Sequence, residues 1–180
     1  MTIHDPAEVL RFWRTAGMSK WFGGGVEFDD ACRAALGDAH FAAARCELDG
    51  WMAEADSALA LVLLLDQIPR NIFRGSGHAF ATDGVARLVA AQAIAQGFDA
   101  RVESAMRFFF YLPFEHSEEM DDQQHSVELV TALGNKDLLG YATAHRDVIA
   151  RFGRFPHRNA ALGRISTPEE QAWLDAGGGF

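Results

Sequence analysis

The stretch Ala58-Leu-Ala-Leu-Val-Leu-Leu-Leu65, continuing into Asp66-Gln67-Ile68-Pro69-Arg70-Asn71, decides how the rest of the chain is read. On periodicity alone, eight apolar residues in a row fit either a buried strand or a helix packed on every side. The leucine and alanine bias and the continuation past Leu65 favour helix. The spacing therefore predicts a central helix, apolar all round, with Asp56 as its cap and Pro69 as its end. The run is also far short of the ~20 residues needed to span a bilayer.

Working outward, the chain punctuates itself as further helices. Asp5-Pro6-Ala7-Glu8 reads as cap, first-turn proline and capping-box acid, opening a helix that Gly17 ends. A helix from about Asp29 to Leu48 is expected to break or kink near Gly37. Asp83 caps another that Gly97 terminates, Asp99 opens one that Pro113 closes, and Ser117 begins one rich in acids in its first turns. Asn135 caps a helix running to Phe152, with Gly153 after it and an apolar stripe of Leu138, Tyr141, Ala142, Val148, Ile149 and Phe152. Thr167-Pro168-Glu169-Glu170 is a capping box. No segment alternates as a strand would. The fold class is all-α, seven to nine helices in a single domain over residues 1–176, followed by a loose glycine-rich tail at 177–180.

Composition bounds the function. A formal net charge of −9 opposes a general nucleic-acid binder, which needs a basic face. The two cysteines, Cys32 and Cys46, form no CxxC and read as reduced thiols. The opening MTIHDPAEVLRFW lacks a basic segment followed by an apolar run, so no signal peptide is expected and a cytoplasmic location is. Neither a membrane nor a nucleic acid is an expected partner.

Polar chemistry collects in three segments. The first is Asp66, Arg70, Asn71 and Arg74, at the end of the most apolar helix, where charges must be paired. The second runs from Glu115 and His116 through Glu119 and Asp122 to Gln123 and His125. Its three-residue spacings suggest metal ligands, but the chain has no Glu-x-x-His pair, so no metal is assigned. The third carries Arg151, Arg154, His157, Arg158, Asn159 and Arg164, with no acid between Asp147 and Glu169. His145 falls on the apolar stripe, where a core histidine bonded to a neighbour is the ordinary reading. The arginines either pair with acids such as Asp66 and Glu115 or face a pocket and hold an anion bidentately.

The three blocks Leu63–Asn71, Phe109–Glu118 and Arg151–Asn159, with Leu162-Gly-Arg164 and Ser166-Thr167, together resemble the signature of a bacterial family of unknown function, domain of unknown function 924. The resemblance extends from about residue 5 to 175 and includes Phe12-Trp13 and Trp51. Ile68 departs from the family's pattern, where Phe is expected, and residues 31–44 are richer in alanine. It implies an all-helical, tetratricopeptide-like array of antiparallel helices and no particular activity.

Two functions follow as expectations. The first is a site for a small anionic ligand, a phosphate or carboxylate, held by Asp66, Arg70, Asn71, Arg74, Gln123, Arg151, Arg154, Arg158, Asn159 and Arg164. There His116, Glu115 and His157 are the candidate acid–base residues, and no cofactor is required. The second is a helical-repeat scaffold that holds a peptide or protein partner.

Overall fold

A computed structural model describes residues 5–180, which form nine α-helices and no strand. Residues 1–4, the start of the stretch read for a signal peptide, lie outside the described residues. Among the described residues no helix is long and apolar enough to cross a membrane. The helices are α1 (Pro6–Ala16), α2 (Met18–Trp21), α3 (Gly25–Ala44), α4 (Ala55–Ile72), α5 (Asp83–Ala95), α6 (Leu112–Glu115), α7 (Met120–Leu133), α8 (Lys136–Phe152) and α9 (Pro168–Asp175).

The chain packs as two compact units. One comprises the chain up to Arg74 together with His78–Pro113; the other comprises Gly75–Gly77 and Phe114–Phe180. In the first unit α4 is the axis. It packs against α1, α3, α5 and the 3₁₀ turns Asp49–Ala53 and Arg107–Phe110, which is why its sequence is apolar on every face. From Ala58 to Ile72 only Arg70 escapes full burial.

The expectation that Pro69 ends this helix is corrected, since α4 runs three residues further, to Ile72. Pro69 has no N–H to give the carbonyl four residues before it, that of Leu65, and this loss normally breaks a helix. The Thr82 hydroxyl donates to the Leu65 carbonyl instead, at 2.5 Å. His40 reaches the neighbouring Leu64 carbonyl at 2.8 Å, and Arg70 the Asp66 carbonyl at 2.6 Å. The helix passes its proline because side chains satisfy what the backbone cannot. Asp56 lies in the first turn and Glu54 occupies the cap position.

Three other expectations change. α3 is continuous through Gly37, whose intrinsic cost of ~1 kcal/mol is outweighed by burial of Leu36, Ala39 and His40 around it. Asp99 opens no helix; its carboxylate takes hydrogen bonds from Arg107 at 2.9 Å and from the Tyr111 hydroxyl at 2.6 Å, and this pins the segment as turns. Tyr141 is 63 % exposed, off the buried stripe of α8.

In the second unit α7 packs on α8 across a two-residue link in which Gly134 is left-handed (φ 69) and the Asn135 side chain accepts from the N–H groups of Asp137 and Leu138. Gly153 (φ 68) ends α8, as its sequence predicts. Val148, Ile149 and Phe155 form the core of this unit, with Met120, Phe152 and Trp173 against them. The Thr167–Glu170 capping box is complete in both directions.

Candidate functional site

The second unit builds its polar centre from four pieces: the end of α6 (Glu115, His116), the middle of α8 (His145), the loop after α8 (Phe155, His157, Arg158) and the start of α9 (Glu170). The loop is held by paired charges. Glu170 accepts from Arg154 at 2.6 and 2.7 Å, from the Thr167 N–H at 2.8 Å and from Asn159 at 3.3 Å. Hydrogen bonds from Arg154 and then from the Thr167 N–H hold the Glu170 carboxyl down to about 2. Glu118 accepts both terminal nitrogens of Arg164, at 2.8 and 2.9 Å, and the Phe155 N–H at 2.8 Å. Burial would raise the Glu118 carboxyl, but Arg164, the Phe155 N–H and the charge of Arg158 outweigh it and hold it below its usual value.

Arg151 pairs with Glu169 at 2.9 Å on the surface, where such a pair contributes little. Glu169 and Glu170, the first acids after the acid-free run, thus return to the cations before them. Gln123 is fully buried and donates to the carbonyls of Glu115 and Ser117 at 2.6 and 2.7 Å, joining α7 to the end of α6. Ser117 does not start α7; its hydroxyl donates to Asp122 at 2.6 Å and accepts from the Glu119 N–H.

His145 lies at the centre of what these locks position. Its Nδ1 stands 2.9 Å from the Tyr141 carbonyl and 3.2 Å from a carboxyl oxygen of Glu115, and both side chains are buried. A carbonyl only accepts, so Nδ1 carries the hydrogen and Nε2 is left as the acceptor. Burial pushes the imidazole down to about 3; His116 adds to the fall, the Tyr141 carbonyl opposes it, and Arg158 and His157 deepen it. The ring is therefore neutral, and its contact with Glu115 is not an ion pair. The His116 ring centroid is 6.1 Å from that of His145, and the Arg158 guanidinium lies 4.4 Å over the ring of Phe155. His145 thus sits between the Glu115 carboxyl and the charge of Arg158.

This geometry sets a pH dependence. The folded ring stays neutral where the unfolded one, near its usual 6.5, takes up a proton, so the unfolded state binds more protons between about 6.5 and 3. The stabilisation is complete above 6.5 and is lost as pH falls toward the folded value. Denaturant titrations should show the wild type losing about 2 kcal/mol more than His145→Gln between pH 7 and pH 5. Equal losses would remove His145 as the responsible group.

The first polar block belongs to the other unit and is locked there. Asp66 is 3.3 Å from Arg70, which also grips Asp83 at 2.9 and 3.0 Å, and Gln67 donates to Asp66 at 2.6 Å. Arg74 binds both oxygens of Asp29, at 2.7 and 2.9 Å, and Asn71 donates to the Gln67 carbonyl. An open groove of about 670 Å³ in the same unit runs between α1 and α3, with Phe12, Phe28, Ala31 and Ala35 inside and Arg11 and Lys20 on its rim. Among the described residues no group of three or more His, Cys, Asp or Glu stands at metal-binding spacing.

Glu115, His116, His157 and Arg158, all named from the sequence, therefore surround a residue the sequence read as core. No local pattern joins Glu115 to His145, thirty positions on; the one signal is a histidine interrupting an apolar stripe.

These features define an all-helical protein with a buried histidine–carboxyl centre in its second unit. The chain belongs to the family described as bacterial protein of unknown function (DUF924), whose model matches residues 9–178. It is similar to the solved structure of ATU0120, a protein of unknown function from Agrobacterium tumefaciens, at 50% identity and a TM-score of 0.92, over 95% of this chain and 97% of that one. Comparison with curated proteins gives no match.

Proposed function

We propose that the second unit binds a small anion, a phosphate or carboxylate, at the centre formed by His145, His116, His157 and Arg158. The observation that carries this reading is the setting of His145, a buried neutral ring beside Glu115 and His116 whose proton affinity is lowered first by burial and then by His116, Arg158 and His157. An anion there meets the charge of Arg158 in a medium where charges interact more strongly than in water. It also offsets the part of the shift that His116, Arg158 and His157 cause, so the proton affinity of Nε2 rises as it binds. Nε2 then becomes an acid–base group oriented by Glu115 through Nδ1.

Arg154 and Arg164 hold Glu170 and Glu118, so in this reading they build the loop. The scaffold reading, with a peptide laid in a groove of a tetratricopeptide-like array, draws on the α1–α3 groove. An apolar floor with a charged rim specifies no particular ligand, and for that reason the histidine centre is preferred.

Calorimetric titration with inorganic phosphate and acetate, at constant ionic strength in two buffers of different ionisation enthalpy, tests the proposal. Binding with proton uptake is expected in the wild type, together with a stabilisation of about 2.7 kcal/mol at 100 times Kd. His157→Gln and Arg158→Gln should weaken it at least tenfold. Binding of equal strength in both variants, or no binding to the wild type, would overturn it.

A further inference from the structure

The last four residues of the second unit provide a separate observation. The Phe180 ring stacks on His145 with centroids 3.6 Å apart and planes 15° from parallel. Two more rings meet it edge-on: Phe155 at 6.2 Å and 88°, and His157 at 5.7 Å and 83°. The three form a box with one parallel floor and two perpendicular walls, the arrangement that aromatic quadrupoles favour. The box is firm. Phe155 is fully buried, His145 is 7 % exposed, and the loop that carries Phe155 and His157 is fixed by Glu118 and Glu170.

The occupant is less enclosed than its seat: Phe180 is 53 % exposed and follows Gly177-Gly178-Gly179. The path of that segment depends on glycine. Gly177 and Gly179 have φ of 87° and 146°. A Cβ at Gly178 would come within 2.3 Å of the Trp173 ring. A buried ring-shaped seat is thus filled by a half-exposed ring that follows three glycines.

We infer that the box of His145, Phe155 and His157 is a subsite for a planar aromatic ring, which Phe180 fills in place of the ligand, so that the site takes a small aromatic acid. The acid half of this statement rests on the anion reading above; the ring half rests on the box alone. The ligand ring takes the position of the Phe180 ring over His145, and its acid group lies in the field of His116, His157 and Arg158. Phe180 competes from within the same molecule, at the high effective concentration that a short tether gives. No bond is made or broken.

The test titrates benzoate, acetate and benzamide into the wild type, Phe180→Ala and Gly178→Ala. Phe180→Ala removes the competitor, and Gly178→Ala keeps it but drives its tether off Trp173. Phe180 lies outside the buried core; Gly178→Ala presses on Trp173, which packs against that core, so the helical content of this variant is checked first by circular dichroism. Both variants should bind benzoate roughly five- to tenfold more tightly than the wild type, the range expected for loss of one competing aromatic contact. Acetate, which has no ring, should bind equally to all three, and benzamide should follow benzoate in its response to the two substitutions. The inference is overturned if benzoate binds no more tightly to either variant, or no more tightly than acetate does. If acetate fails everywhere while benzamide binds and responds to Phe180→Ala, the ring subsite stands and the anion reading falls.

Discussion

Trp13→Ala is expected to cost about 4 kcal/mol of stability, the upper part of the range for any single substitution in this chain. Trp13 is fully buried in α1. It lies parallel to Trp21 at 6.3 Å, tilted against Phe28 at 6.0 Å and edge-on to Phe109 at 5.7 Å. Truncation removes the transfer energy of the indole and opens a cavity among rings that are themselves held. Trp21 donates to the Trp13 carbonyl at 2.8 Å, so it cannot swing into the space without losing that bond. Trp13→Phe separates area from polarity. The indole N–H of Trp13 is buried and finds no acceptor among the described residues, so phenylalanine loses volume but also removes an unsatisfied donor. Urea unfolding should place Trp13→Phe well under half the loss of Trp13→Ala. An alanine loss under about 1 kcal/mol would mean that the cluster collapses freely around the gap.

Asp66→Ala is the second large effect, expected at about 3 kcal/mol. Asp66 is fully buried beside Arg70, and its two oxygens face Arg70 and Gln67. Removing the carboxylate leaves a guanidinium and an amide N–H inside the molecule with fewer acceptors, and that uncompensated desolvation dominates the loss. Asp83 retains its bidentate hold on Arg70, which keeps the figure at the low end of the range for broken buried pairs. A cycle with Arg70→Met measures the coupling directly. The double variant should be more stable than the sum of the single losses predicts, because the second change removes the stranded charge. Strict additivity would show that the two residues do not act as a pair.

Both effects fall in the unit built around α4, and the reasons they could or could not be foreseen differ. The helix itself was legible, because an apolar run long enough to exceed a strand and rich in leucine and alanine is a local property. So were Asp5, Asn135 and Thr167 as caps and Gly153 as a terminator, since a cap joins residues two to four positions apart. The end of α4 was not legible. Pro69 carries a local signal to stop, and that signal is countered by Thr82, seventeen positions beyond the Leu65 carbonyl it satisfies. Asp99 misled for the same reason: a good capping residue was taken instead by Arg107 and Tyr111.

The candidate site divides along the same line. The sequence by itself determined that the protein is all-helical and that its polar groups collect in three segments, with Glu115, His116, His157 and Arg158 among the candidates it offered. Only the tertiary structure decided which arginines are spent on Glu118, Glu169 and Glu170, and that a stripe histidine is the residue around which the others gather. It also put Phe180 on that histidine's face. The physical reason is range: helix propensity and capping act within one turn of chain, whereas the protonation and surroundings of a buried ring depend on whatever distant segments pack against it.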